Sequence, residues 1–216
     1  MSNEPTPTST RTSDPPAPPP NLPQPSTLPQ PKPLSSLPQL TRYITTHRAS
    51  DGLAALHSQA PFIWAGFDED NLGFAVPFTT SAFPADLNGD ADLAAHDALV
   101  ASGRLGLVSP GGTVCRVVDF APGYACAMHR TKSLDYGVVL EGEVEMVLDG
   151  GDRAVLKRGD VAVQRGTNHQ WVNTSATEWA RMLFVLQDIQ PIVVNGKELG
   201  EDLGPEGGLS KAEKKS

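Results

Sequence analysis

GYACAMHRTKSLDYGVVLEG at residues 123–142 and GDVAVQRGTNHQWVN at 159–173 are two segments that each open on a glycine turn and then alternate apolar with polar residues. Alternation of period two places one side chain in two on an inner face, which is the mark of a half-buried strand. Working outward, the same rhythm predicts short strands at 113–120, 125–130, 136–140, 143–148, 154–157, 161–164, 169–173 and 180–186. Turn residues separate them: Pro122-Gly123, Glu141-Gly142, Asp149-Gly150-Gly151, Arg158-Gly159-Asp160 and Arg165-Gly166. Short strands at such regular spacing predict an all-β domain over 106–190, an antiparallel sandwich or small barrel.

The polar residues within the two segments resemble the two motifs of the cupin superfamily. Gly123, His129, Thr131, Asp135 and Gly142 follow the first motif, G-x5-H-x-H-x3–4-E-x6-G, in spacing. Gly159, Gly166, His169 and Asn173 follow the second, G-x5-P-x-G-x2-H-x3-N, one residue short. The resemblance implies a double-stranded β-helix, or jelly-roll, barrel. The wording around the histidines is similar to a subfamily of small single-barrel cupins found in bacteria and in fungal polyketide gene clusters, some described as cupin-domain oxidoreductases. That likeness implies an oxidoreductase of secondary metabolism acting on a small aromatic or polyketide-derived metabolite, and a homodimer.

The family's metal ligands are three His and one Glu. Here Thr131 stands at one His position and Asp135 at the Glu position, leaving His129, Asp135 and His169. Two imidazoles and one carboxylate are the donors of a facial triad with open positions, suited to Fe(II), while Mn(II) or Zn(II) fits the same set. Residues 129 and 131 share a strand face, so the Thr131 hydroxyl occupies the vacated ligand position. The same residues without metal make a His–carboxylate dyad around Asp135, a general base for a metal-independent lyase or isomerase such as a dehydratase or decarboxylase. A third reading is a barrel that only binds a small ligand or scaffolds a dimer.

Trp171, two residues after His169, shares its inward face and can either stack on a flat substrate or pack in the core. Arg116 falls on an apolar face with Val114, Val118 and Phe120, where it binds a substrate carboxylate or phenolate or forms an ion pair at an interface. Cys126 and Met128 are out of phase with His129 and therefore off the ligand face. Tyr136 points to the face opposite Asp135. His47, His57 and His96 lie outside the barrel and read as surface or capping residues.

Further out the composition changes. Thirteen of the 20 prolines precede residue 41, and residues 1–40 contain no aromatic side chain. Such a segment cannot bury enough apolar area to order itself and is predicted to be a disordered tail. Residues 41–105 read as an arm of short strands with a helix at about 91–102, capped by Asp90 or Asp92 and ended by Gly103. Pro77 within Phe74-Ala75-Val76-Pro77-Phe78-Thr79 predicts an edge strand. Residues 191–216 read as a frayed tail. The 216-residue chain carries a net charge of −8, which argues against nucleic acid or an anionic membrane as partner. Two cysteines, no apolar run long enough for a span and no signal-like N-terminus predict a cytoplasmic protein whose partner is a small molecule.

Overall fold

The computed structural model describes residues 29–204. Thirteen strands and one α-helix follow in order: β1 (Thr41–His47), β2 (Ala54–Pro61), β3 (Trp64–Phe67), β4 (Leu72–Thr80), α1 (Ala91–Ala101), β5 (Thr113–Phe120) and β6 (Ser133–Glu141). Then come β7 (Glu143–Leu148), β8 (Arg153–Lys157), β9 (Val161–Arg165), β10 (His169–Asn173), β11 (Ala180–Asp188), β12 (Ile192–Val194) and β13 (Lys197–Leu199). The fold is the expected all-β cupin barrel with a short helix. A six-stranded antiparallel sheet, ordered β3-β4-β5-β11-β6-β9, faces a three-stranded sheet, β10-β7-β8. Val114, Val118, Phe120, Val139, Val144 and Met182 fill the space between them. Gly137 sits where a Cβ would come within 2.9 Å of the Phe184 ring, so a glycine there lets β6 and β11 pair with that ring packed inward.

Several expectations move. β3 and β4, read as part of an arm, are two strands of the main sheet. β4 is an interior strand, not an edge, because Pro77 falls in an irregularity between Ala75 and Phe78 where the ladder asks for no donor. Residues 125–130 form no strand; they meet β10 at isolated bridges, Ala125–Val172 and His129–His169, and through bonds between Cys126 and Gln170 and Trp171. Residue alternation therefore lapses there, and Cys126 turns inward as a buried residue instead of staying off the ligand face. The helix ends one residue short of the expected boundary, with Gly103 at positive φ just beyond it. Neither proposed acidic cap forms: Asp90 is left-handed and makes no side-chain cap bond, its carboxylate accepting from Thr46 Oγ1 at 3.0 Å instead.

Both proposed tails carry structure in their described parts. Residues 29–40 cross the outer face of the main sheet, where Trp64, Ala75 and Val117 form a second small core. Gln30 and Trp64 exchange two backbone hydrogen bonds of 2.8 Å, and Trp64 Nε1 donates to Gln39 Oε1 at 2.8 Å. Arg181, 1% exposed, donates bidentately to Asp119 and, through Nη1, to Pro38 O at 2.6 Å. Ser35 donates to the same Asp119. A proline-rich chain lacks donors but keeps every carbonyl, and here those carbonyls meet donors the sheet presents. The rest of the expected tail, residues 1–28, lies outside the described residues. At the other end β12 and β13 form a hairpin around Asn195-Gly196, both at positive φ as a tight hairpin turn requires. Residues 200–204 then return to the barrel, and 205–216 lie outside the described residues. No helix among the described residues is long and apolar enough to cross a membrane.

Candidate functional site

The cavity lies between the two sheets. Leu72, Phe74, Val118, Phe120 and Leu186 give it an apolar wall, and His129, Thr131, Asp135, His169, Trp171 and Arg116 all line it. Every candidate residue read from the sequence is thus brought to one place. Its volume is about 70 Å³, room for a few water molecules. Two lining residues had no signal in the pattern: Cys126, for the reason given above, and Leu203 from the C-terminal strap. That strap is pinned by backbone bonds between Arg130 and Asp202 and by Arg130 Nε donating to Gly200 O at 2.7 Å.

The two histidines are backbone neighbours. His129 and His169 exchange N–H···O bonds of 2.8 and 2.9 Å, which sets their ring centroids 4.4 Å apart. The hydrogen-bond partners assign opposite tautomers. His129 Nδ1 stands 2.9 Å from Ala127 O and must carry the hydrogen, leaving the Nε2 lone pair free. Around His169 the decisive group is Gln164. Gly166 N–H donates to Gln164 Oε1 at 2.9 Å, so the amide nitrogen is the atom facing His169 Nδ1, 2.6 Å away. Its second hydrogen goes to Thr167 O at 2.6 Å. Nδ1 of His169 also lies 3.0 Å from Thr167 O, but the shorter contact to a donor makes it the acceptor, which puts the ring hydrogen on Nε2. Gln164 thus acts on the site although the sequence pattern assigned it no role; its signal was its place in the second motif.

Burial disfavours charge on both rings. It holds His129 below the usual histidine range, and it depresses His169 further, to about 3, with His129 as a second cause. Asp135, on β6, is 4% exposed, and burial pushes its carboxyl up to about 6 against the opposing effect of the Ser133 hydroxyl. Its Oδ1 has no hydrogen-bond partner among the described residues. The dyad expected around Asp135 is therefore not formed, because both Nδ1 atoms are occupied by Ala127 and by Gln164 with Thr167. Thr131 is buried with its hydroxyl 2.7 Å from that of Ser133.

The same geometry tests the expected metal triad. Among the described residues no three His, Cys, Asp or Glu side chains stand together closely enough to hold a metal ion. His169 would need its hydrogen on Nδ1 to offer Nε2 to a cation, and Gln164 favours the reverse. The donor types suit Fe(II), Mn(II) or Zn(II), but their arrangement here does not fit one.

Trp171 packs in the core against Phe184 at 5.5 Å between centroids and presents an edge-on contact to His169 at 5.3 Å. Cys126 receives the Trp171 N–H at 3.2 Å, and burial pushes its thiol up to about 12, so it is no nucleophile. Tyr136 is exposed on the opposite face, as expected. His96 departs from expectation: it is buried beneath α1, bonded to Thr79 at 3.0 Å and Arg42 at 3.1 Å and stacked on Phe78.

A short-stranded jelly-roll enclosing a cavity with two imidazoles, a carboxyl and a guanidinium on its wall defines the class, a β-barrel with an internal candidate site. Comparison with known proteins makes the class specific. The "Cupin domain" family matches residues 116–186. "Oryzines biosynthesis cluster protein J" of Aspergillus oryzae is 45% identical over 177 residues, covering 80% of this chain and 96% of that protein. "Cupin-domain-containing oxidoreductase srdB" of Neurospora crassa is 38% identical, covering 76% of this chain and 81% of that protein. Among solved structures, a Cupin 2 conserved barrel domain protein from Salinispora arenicola is 28% identical, covering 35% of this chain and 63% of that chain, with a TM-score of 0.32. The chain belongs to the cupin-domain family, in the company of proteins from fungal biosynthesis clusters.

Proposed function

We propose that this protein is an enzyme of secondary metabolism, an oxidoreductase that acts on a small aromatic or polyketide-derived metabolite in the barrel cavity. One observation carries the reading: His129, Asp135 and His169, with Arg116 and Thr131, stand together on a wall otherwise built mostly of apolar side chains. The relatives named cupin-domain oxidoreductases support the reaction class. Two-electron oxidation at a hydroxylated carbon passes a hydride to a diffusible electron acceptor, the oxidant followed in the test below, and releases the hydroxyl proton, which His129 Nε2, neutral and unprotonated, accepts. His169, with its hydrogen on Nε2, donates to an oxygen on which charge develops. Asp135, titrating near neutrality, takes up or returns a proton without an imidazole between it and the ligand. A bound Fe(II), Mn(II) or Zn(II) ion would add Lewis-acid or redox chemistry; since the donors do not converge, no step is assigned to it.

The lack of convergence and the opposed tautomers favour a second reading, a metal-independent lyase or isomerase using the same base and acid. Metal content and turnover of tag-free protein in chelator, with consumption of an oxidant followed alongside, tests the pair. Turnover that consumes oxidant supports the oxidoreductase, and its loss in chelator adds a metal; turnover in chelator with no oxidant consumed favours the lyase or isomerase. The β1–β2 hairpin is the surface on which a homodimer would pack: a two-stranded unit is marginal alone, and Tyr43, Leu53 and Leu56 are exposed on it. Sedimentation equilibrium of Leu56→Glu beside the unaltered chain tests this.

A further inference from the structure

Two arginines among the described residues are buried, and they differ in one respect. Arg181 is saturated: a bidentate carboxylate from Asp119, the Pro38 carbonyl, and the face of Trp64 at 4.9 Å. Arg116, 7% exposed, has the face of Phe74 at 5.0 Å and one hydrogen bond, from Nη2 to Gly106 O at 2.9 Å. Its Nε is buried with no partner, and no carboxylate among the described residues pairs with it. An unpaired guanidinium out of water costs several kcal/mol unless something answers it. The interface ion pair suggested by its pattern therefore does not form within the described chain.

Its position says what the answering group is. Arg116 and Phe74 line the barrel cavity and also a second groove of about 530 Å³, walled by α1, the end of β2 and the start of β3. Arg116 thus stands where the two spaces meet. It pairs with Phe184 of β11, and Asp135 pairs with Leu186 of the same strand from the other side. Arg116 and Asp135 are therefore two strands and two residues apart on one face, about 12 Å of sheet, a span that a substituted aromatic ring fills together with the two side chains. The free Nε and the second hydrogen of Nη2, whose first goes to Gly106 O, form the side-on fork that a carboxylate fills bidentately.

We propose that Arg116 is a carboxylate-binding site, and that the substrate is an aromatic carboxylate anchored there with its reacting end at His129 and Asp135. The inference rests on the cavity being the substrate site, as proposed above, and deepens it by naming the substrate's charge. The rest of the metabolite extends into the groove under α1, where Val76, Val100 and Leu105 offer apolar contact.

Calorimetric titration with benzoate and with benzamide, its neutral counterpart, tests this at pH 8. The unaltered protein binds benzoate at least about tenfold more tightly, and Arg116→Gln removes that preference while leaving benzamide binding unchanged. Arg116→Lys keeps the charge, loses the fork and falls between. Equal binding of the two probes, no binding of benzoate, or a preference that survives in Arg116→Gln overturns the proposal. Should Arg116→Gln not fold, an undiminished benzoate affinity in Arg116→Lys overturns it instead. The readout is binding, so it separates from catalysis. A benzoate preference that persists while His129→Ala leaves turnover unaffected removes the reaction proposed above and keeps the Arg116 site. The reverse result, no preference but turnover lost in His129→Ala, removes the Arg116 site and keeps the reaction.

Discussion

Asp135 is held where a carboxylate is disfavoured, so its chemistry and its stability pull in opposite directions. Its folded pKa of about 6 lies above the 3.8 of the unfolded chain. The native state therefore holds the proton more tightly, and the stability this confers is present below pH 3.8 and is lost as pH rises through 6. A difference of that size between the two states corresponds to roughly 3 kcal/mol. Asp135→Asn removes the ionisation, and we expect it to melt higher than the unaltered protein at pH 7.5, with the gain vanishing by pH 4, while turnover falls. Thermal midpoints at the two pH values check this; an Asn variant that melts lower at both would mean the carboxylate has a partner. His129→Ala is the complementary change. The ring is only partly buried, so the barrel should stay folded while turnover drops by about 10²–10⁴-fold, the usual loss for a general base.

At the scale of elements, the segment before β1 makes a prediction that composition alone reverses. Removing residues up to 40 strips Trp64 of its cover and takes the Pro38 carbonyl from Arg181 and the Ser35 hydroxyl from Asp119. Each lost bond to a charged group is worth about 1.5–3 kcal/mol. A chain starting at residue 41 should therefore melt about 6–12 °C below one starting at residue 29. Equal midpoints would show that the segment adds nothing. The contrast marks what local sequence can and cannot carry. Strands β5 to β11 follow from alternation and glycine turns because both are local; His129, Asp135 and His169 are singled out by the resemblance to the cupin motifs, and Arg116 by its place on an apolar strand face. Docking of 29–40 depends on donors and an aromatic face distant in sequence, which no local window contains. Residues 125–130 alternate like a strand, yet they pair with β10 through isolated bridges at Ala125 and His129 and no continuous ladder, and Cys126 turns inward. Asn195-Gly196 is a hairpin signal in plain view, hidden by a glycine- and lysine-rich neighbourhood that reads as frayed. The tautomers of the two histidines are not legible in the sequence at all, since they depend on where Gln164 points.

For the whole molecule, net charge and buried histidines predict opposite responses to acid. The chain carries −8 at pH 7 with a pI near 5.0, so relief of self-repulsion alone would make it more stable as pH falls toward 5. His96, His129 and His169 all have folded pKa values below 6.5, each chiefly from burial. For such groups stability is present above pH 6.5 and is lost as pH falls toward the folded value, because the unfolded chain binds the protons that the native state refuses. His169, with a folded value of about 3, contributes on the order of 1 kcal/mol per pH unit across that window, His96 and His129 act in the same direction, and Asp135 opposes them between pH 6 and 3.8. Together the histidines outweigh a screened surface repulsion at physiological ionic strength. We expect the thermal midpoint to fall by about 5–10 °C between pH 7.5 and 5, despite the approach to the pI. Replacing His169 by Asn removes the most depressed of the three groups and should clearly shrink that fall, whatever it does to the midpoint at pH 7.5. A midpoint that rises toward pH 5, or a fall unaltered by the replacement, would mean that His169 takes up its proton in the folded barrel as readily as in water.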